Sequence, residues 1–177
     1  GGFGQALVYR FLDGPVGHGD PVALARVLNR IHSAAPPPVR PLPSGSGALL
    51  TETRALLSTI RAAPPGVAEA LAHLSARPPV PATEPRLIHT DPVAANVVTT
   101  RAGPVLIDWQ CPALGDPCED LAMVMSPSMR AGYDGALGAA EDTAFLAAYP
   151  EPKVVARYRR LAPFHHLKMA AYAQWSR

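Results

Sequence analysis

The chain has 177 residues, 48% of them apolar and 17% charged, with a formal net charge of +2. That is enough to bury one sizeable core and too apolar for a disordered or fibrous chain, and without a basic block interleaved with aromatics it argues against a nucleic-acid surface. No apolar run approaches the roughly 20 residues of a membrane helix, and Gly1-Gly2-Phe3-Gly4 lacks the regions of a signal peptide, so a cytoplasmic location with no membrane partner is expected.

From the start, Ala6-Leu7-Val8-Tyr9-Arg10-Phe11-Leu12 is rich in β-formers and is closed by the turn signal Asp13-Gly14-Pro15, which predicts a strand. Asp20-Pro21 then supplies an N-cap and a proline for the first helical position. Leu24, Val27, Leu28 and Ile31 fall on one face of this helix, which ends near His32. Five prolines between Ala34 and Pro43, with no periodicity, predict an extended surface connection. Two helical stretches follow. One holds Leu56, Leu57 and Ile60; the other, opened by Pro64-Pro65-Gly66, holds Val67, Ala70, Leu71 and Leu74.

After a second proline-rich segment, Pro78 to Pro85, the pattern changes to short strands: Leu87-Ile88-His89, Asn96-Val97-Val98 and Val105-Leu106-Ile107. A turn near Ala102-Gly103 joins the last two. Beyond Pro117 the pattern is helical again, through Leu121, Val124 and Met125, then Phe145 and Leu146, then Val154, Val155, Tyr158 and Leu161. Cys111 and Cys118 form neither a zinc framework nor a disulfide scaffold and read as buried thiols.

The segment His89-Thr90-Asp91-Pro92-Val93-Ala94-Ala95-Asn96 sets an acid and an amide five residues apart between two strands. Asp108 ends a strand that a hairpin can return to the mouth of the same loop, so three oxygen-bearing side chains can converge. Such a set suits phosphoryl transfer, whose transition state spreads negative charge over oxygens and is stabilised by positioning and cations. Magnesium takes carboxylate, amide and phosphate oxygens, which makes Asp108 and Asn96 suitable ligands. Asp91 can orient a substrate hydroxyl and accept its proton.

The H-x-D-x4-N pattern, followed by Ile107-Asp108-Trp109, Gly115-Asp116-Pro117 and Asp120-Leu121-Ala122, resembles the aminoglycoside phosphotransferase and choline kinase group, which has a protein-kinase-like fold. The similarity is strongest from Leu87 to Ala122, and the segment from Leu7 to His32 is similar to the family's hinge and the helix after it. The resemblance implies an α+β architecture, mainly helical with short β-hairpins around the catalytic loop. A hinge-like strand would occupy 1–14 and a helical catalytic lobe 15–177, with the catalytic loop and metal-site hairpin at 86–122. It further implies Asp91 as the catalytic base, His89 as a brace of the loop, and Asn96 and Asp108 as magnesium ligands. ATP would be the co-substrate, its adenine meeting the backbone near Tyr9, Phe11 and Leu12. Asp120 would hold the loop from the next helix, and Asp116, before Pro117, reads as a structural helix cap.

Family members carry an N-terminal lobe with a glycine-rich loop and a lysine that pairs the ATP phosphates, whereas the first lysine here is Lys153. The resemblance therefore implies a fragment or a truncated member, with an apolar face where a missing N-terminal lobe or another chain would dock. Beside a small-molecule kinase stand two other readings: a non-catalytic remnant that binds a nucleotide or a protein partner, and a metal-dependent phosphoester hydrolase using the same acids. His165 and His166, adjacent in a helical stretch, do not share a face and do not read as a metal site. His18 and His32 read as surface or packing residues and Trp109 as core, while Tyr172 and Trp175 either cap a substrate cleft or pack the last helix. In the resembling family acidic residues meet cationic antibiotics at the acceptor site. Here Arg26, Arg30, Arg40, Arg54, Arg61 and Arg77, with Arg157, Arg159 and Arg160 later, offer a polycation little electrostatic help, and the acceptor is expected only to be a small molecule bearing a hydroxyl.

Overall fold

Residues 11–60, 63 and 65–175 are described by a computed structural model, the side chain of Trp175 excepted. Helix α1 spans Pro21–His32, and its start follows from local chemistry: the Asp20 side chain accepts from the Val22 N–H at 2.9 Å, and Pro21 occupies a position where no N–H is needed. Leu24, Ala25 and Leu28 are fully buried on one side of it, against α6 (Asp142–Ala148) and the strands described next.

Two small sheets frame the loop between residues 89 and 96. Strands β1 (Arg40–Pro41), β2 (Arg86–Ile88) and β5 (Ala113–Gly115) form one, in the order β1-β5-β2, with β5 parallel to β1 and antiparallel to β2. Strands β3 (Val97–Thr100) and β4 (Gly103–Leu106) form the other, an antiparallel hairpin closed by Arg101 and Ala102. Thr100 and Gly103 pair at its tip, and the φ of +112° at Gly103 is one that residues with a Cβ rarely adopt. Val16 bridges antiparallel to Val98 and extends the hairpin by one residue.

A helical layer completes the core. Helix α2 (Ser46–Thr59) packs along the long α7 (Pro152–Trp175), which also meets α3 (Val67–Ser75), α4 (Cys118–Met125) and α5 (Pro127–Arg130). Leu49 and Leu57 of α2 face this core, and between them the buried Thr53 satisfies its hydroxyl on the Leu49 carbonyl at 2.7 Å. Phe145, Tyr158, Leu161 and Phe164 fill the centre. Pro163 lies inside α7 and has no N–H to offer the Arg159 carbonyl, which places a weak point in the helical ladder two residues before His165.

Several expectations need correction. Residues 6–10 of the expected opening strand lie outside the described residues; its last two, Phe11 and Leu12, are irregular, and a bridge to Val98 forms at Val16. Strand β1 falls inside the proline-rich connection, because Arg40 and Pro41 find a partner in β5, a strand with no sequence signal of its own. Cys118 is buried but Cys111 is exposed. His18 and His32 are both 2% exposed, so neither is a surface residue. Trp109 is not core: it is 41% exposed and packs its edge against His89, with ring centroids 4.5 Å apart.

Candidate active site

Strand β2 delivers the chain into a loop whose backbone is held from three directions. The first is Asp120, fully buried on α4, which accepts from the His89 N–H and the Thr90 N–H, each at 2.8 Å, and from His32 Nε2 at 3.0 Å. His32 Nδ1 is in turn 2.8 Å from the Tyr149 hydroxyl. The second is His89. Its Nδ1 accepts from the Asp91 N–H at 3.3 Å, so Nε2 carries the proton and donates to the Ile107 carbonyl at 2.9 Å. The third is His18, whose Nδ1 accepts from the Leu137 N–H at 3.1 Å and whose Nε2 therefore donates to the Pro92 carbonyl at 3.0 Å. Burial pushes the His18 pKa down, in keeping with this neutral ring.

Among the described residues two that are not glycine have positive φ, and both are here: Thr90 at +74° and Asp108 at +61°. For a β-branched threonine such a conformation is costly and persists only where the surroundings impose it. The imposing contacts are Asp120 on its N–H and the Cys111 carbonyl, which accepts from the Thr90 hydroxyl at 3.0 Å. The strain turns the chain so that Asp91 leaves the loop toward open space.

Asp91 and Asn96 are brought together. Asn96 Nδ2 donates both to the Asp91 carbonyl, at 2.9 Å, and to Asp91 Oδ2, at 3.0 Å, which fixes the carboxylate and leaves Oδ1 without a partner among the described residues. Desolvation raises the Asp91 pKa, with Asp108 and Asp120 adding to the rise, while His89 and the Asn96 amide oppose it. Asp108 stands at the other side of the hairpin mouth: Val97 pairs with Leu106, and the Ile107 N–H donates to the Asn96 carbonyl at 2.9 Å. The exposed Asp108 carboxylate and Asn96 Oδ1 make no hydrogen bond within the described residues.

The remaining sequence candidates are placed as follows. Asp116 accepts from the Cys118 N–H at 3.0 Å, at the start of α4, and its other oxygen pairs with Arg157 of α7 at 2.7 Å. Phe11 is 85% exposed and, with Leu12, lies in irregular backbone; Tyr9 is outside the described residues, as is the side chain of Trp175. Among the described residues no three His, Cys, Asp or Glu side chains are grouped to hold a metal, so any ion at the hairpin mouth would draw most of its ligands from phosphate and water.

Beside Asp91 opens a cavity of about 540 Å³. Thr90 and Asp91 belong to its lining. The rest comes from β1, α2, α4, α5, α7 and the turn after α5, and includes Met123, Met129, Met169, Tyr133 and Tyr172 together with Glu52, Glu119, His165 and Lys168. Lys168 Nζ lies 2.6 Å from Glu52 Oε2 and 3.8 Å from Glu119 Oε2. Desolvation raises the Glu119 pKa to about 7, against the pull of Lys168. Of these wall residues the sequence pointed to Tyr172, as a cap of a substrate cleft or a packing residue of the last helix; it missed the others, and the positions of His18 and His32 in the loop support. The spacing Glu119-Asp120 was the one available signal: it puts adjacent acids on opposite tasks at the start of one helix.

A sequence profile of the phosphotransferase enzyme family matches residues 4–164. Among solved structures, the chain is similar to a choline/ethanolamine kinase family protein from Mesorhizobium loti, with 21% identity and a TM-score of 0.53 over 78% of this chain and 48% of that one. It is also similar to LicA in complex with AMP (21%, TM-score 0.52, 86% and 51%) and to choline kinase LicA from Streptococcus pneumoniae (20%, 0.51, 89% and 58%). The chain thus spans about half the length of the structures it matches. At these identities the likeness establishes the α+β, kinase-like fold. No curated protein sequence matches the chain.

Proposed function

Because the chain belongs to the phosphotransferase enzyme family, we propose that it forms the catalytic and acceptor-binding lobe of an enzyme that moves the γ-phosphoryl group of ATP onto a hydroxyl of a small molecule. One observation carries this reading: the Asp91 carboxylate is held on one oxygen by the Asn96 amide, with its other oxygen unpartnered among the described residues, in the lining of a cavity sized for a small guest. A hydroxyl at Oδ1 is oriented for attack on the phosphorus. Asp91 takes its proton as the new O–P bond forms, and the bond to ADP breaks.

The residues present fit a magnesium ion. Asn96 Oδ1 and the Asp108 carboxylate are hard oxygen donors without protein partners on the two sides of one hairpin mouth, and two such ligands suffice for an ion that shares itself with phosphates and water. When bound, magnesium supplies positive charge to the phosphate oxygens. The chain's own part is positional. His89 ties the Asp91 backbone to Ile107, next to Asp108, so the base and the phosphate end stay in register. The nucleotide assignment draws support from the AMP complex of LicA, and its adenine side is assigned to the backbone near Phe11 and Leu12.

Calorimetry of an ATP analogue with and without magnesium tests the reading. The unaltered chain should bind only with magnesium, and Asp108→Ala should lose that dependence by at least tenfold in Kd while its thermal midpoint stays within about 2 °C, since the carboxylate supports no other contact. Equal binding in the two chains would refute the assignment. A nucleotide- or protein-binding remnant is the second reading. Magnesium-dependent binding without turnover of any alcohol, under conditions where Asp91→Asn is equally inert, would support it.

A further inference from the structure

The acceptor cavity carries a cation of its own. Lys168, on α7, reaches Glu52 of α2 at 2.6 Å and stands 3.8 Å from Glu119 of α4, so a side chain that is 17% exposed already occupies the place between the two glutamates that an ammonium guest would take. Arg40 adds a second positive charge to the lining. A cationic guest would have to displace Lys168 or sit beside two like charges.

The rest of the wall asks for something else. Three thioethers, Met123, Met129 and Met169, and the rings of Tyr133 and Tyr172 offer soft apolar contact. One turn before Lys168 on α7, His165 is 3% exposed and lines the same cavity, and its Nε2 is buried without a hydrogen-bond partner among the described residues. An orphaned polar atom in a cavity wall is a cost that a bound polar group removes. Burial and the nearby Lys168 push the His165 pKa down to about 3, so near neutral pH the ring is uncharged and offers a hydrogen bond without a charge.

We propose that this cavity takes an uncharged amphiphilic alcohol: its reacting hydroxyl at Asp91, its apolar body along Met123, Met129 and Met169, and a second neutral polar group on His165 Nε2, with Lys168 as the built-in cation that removes selection for ammonium guests. This rests on the reading of the cavity as an acceptor site, but nucleotide plays no part in its test, so the two fail separately. Loss of magnesium-dependent nucleotide binding would sink the phosphotransferase reading and leave the cavity's preference measurable.

The test uses two guests of equal length that differ at one end, 1,6-hexanediol and 6-amino-1-hexanol, titrated into the chain labelled on its methionine methyl groups. The diol should shift the Met123, Met129 and Met169 signals and leave Met125, which does not line the cavity, unmoved. Its Kd should be at least fivefold below that of the amino alcohol. His165→Phe should weaken the diol at least threefold, while the diol stays preferred because Lys168 and Arg40 remain. Lys168→Met should reverse the order, because Glu52 and Glu119 are then left without an ammonium, while Lys168→Arg should keep the diol preferred. Equal or tighter binding of the amino alcohol in the unaltered chain overturns the proposal, as does a lack of methyl shifts with both guests; neither result depends on a variant folding.

Discussion

The loop from His89 to Asn96 and the cavity wall meet at Asp91, yet they are built by different means. The loop is contiguous in sequence and is held through its backbone: Asp120, His89 and His18 bond to main-chain groups at residues 89, 90, 91 and 92, and at 107. The wall comes from five elements and the segments next to them, spread between Arg40 and Tyr172, and is held by side-chain packing and one ion-pair cluster. Backbone tethers fix a position whatever the neighbouring side chains are, which suits a reaction common to many substrates. Side-chain walls can be changed one residue at a time, which suits the choice of acceptor.

The sharpest way to break this contrast is to remove the tether with the most partners. Asp120 is fully buried and accepts three hydrogen bonds, so Asp120→Ala strands two backbone donors and the His32 ring together. A loss of about 3–5 kcal/mol is expected, read as a fall in thermal midpoint of roughly 10 °C at this chain length. A loss below about 1 kcal/mol would mean that the loop is held by packing, as the wall is, and the distinction would fall.

His18→Leu is a milder cut at the same region. It leaves the buried Leu137 N–H and the Pro92 carbonyl unpaired while keeping an apolar volume in place. About 2 kcal/mol should be lost, and with it the fixed position of the loop just after Asp91. Chemical-shift changes should then gather at residues 89–96 and spare the cavity methionines; an even spread over both regions would argue that they are one structural unit.

The same contrast explains what could be read from the sequence. Contiguous signals were legible: the Asp20-Pro21 helix start, the H-x-D-x4-N loop, the hairpin around Gly103 and the placement of Asp120 on the helix behind it, because each is written within a few dozen residues. The partners of those signals were not. His18 and His32 lie 74 and 88 residues from the groups they bond, and an isolated histidine near a helix carries no mark of a distant carbonyl or carboxylate. Strand β5 is three residues long and exists only because β2 and β1 flank it. Trp109 reads as core by its size, yet the positive φ of Asp108 turns the chain outward and leaves the ring against His89 at the surface.

The smallest expected effect probes the wall through its charge. The Glu119 carboxyl titrates near pH 7 in the folded chain, because burial outweighs the attraction of Lys168 and the repulsion of Glu52, Asp116 and Asp120 adds to it. Its ordinary value, 4.5, is that of the unfolded chain, so folding retains a proton between those limits. Stability from this group is therefore complete below about pH 4.5 and is lost as pH rises through about 7, by roughly 1–3 kcal/mol. Three histidines work the other way, since the buried His18 and His165 and the half-buried His166 are held neutral and weaken the fold as pH falls below their ordinary value. The raw profile thus mixes two slopes, and the difference between Glu119→Gln and the unaltered chain isolates one. Urea unfolding at pH 5, 6, 7 and 8 should show the glutamine variant gaining on the unaltered chain as pH rises. In a Lys168→Met background the gain should be larger and extend to higher pH, because the carboxyl then has no ammonium beside it. A gain independent of pH would mean that Glu119 is ionised throughout, with Lys168 and solvent screening it fully, and the wall would then present a carboxylate to its guest at every pH tested.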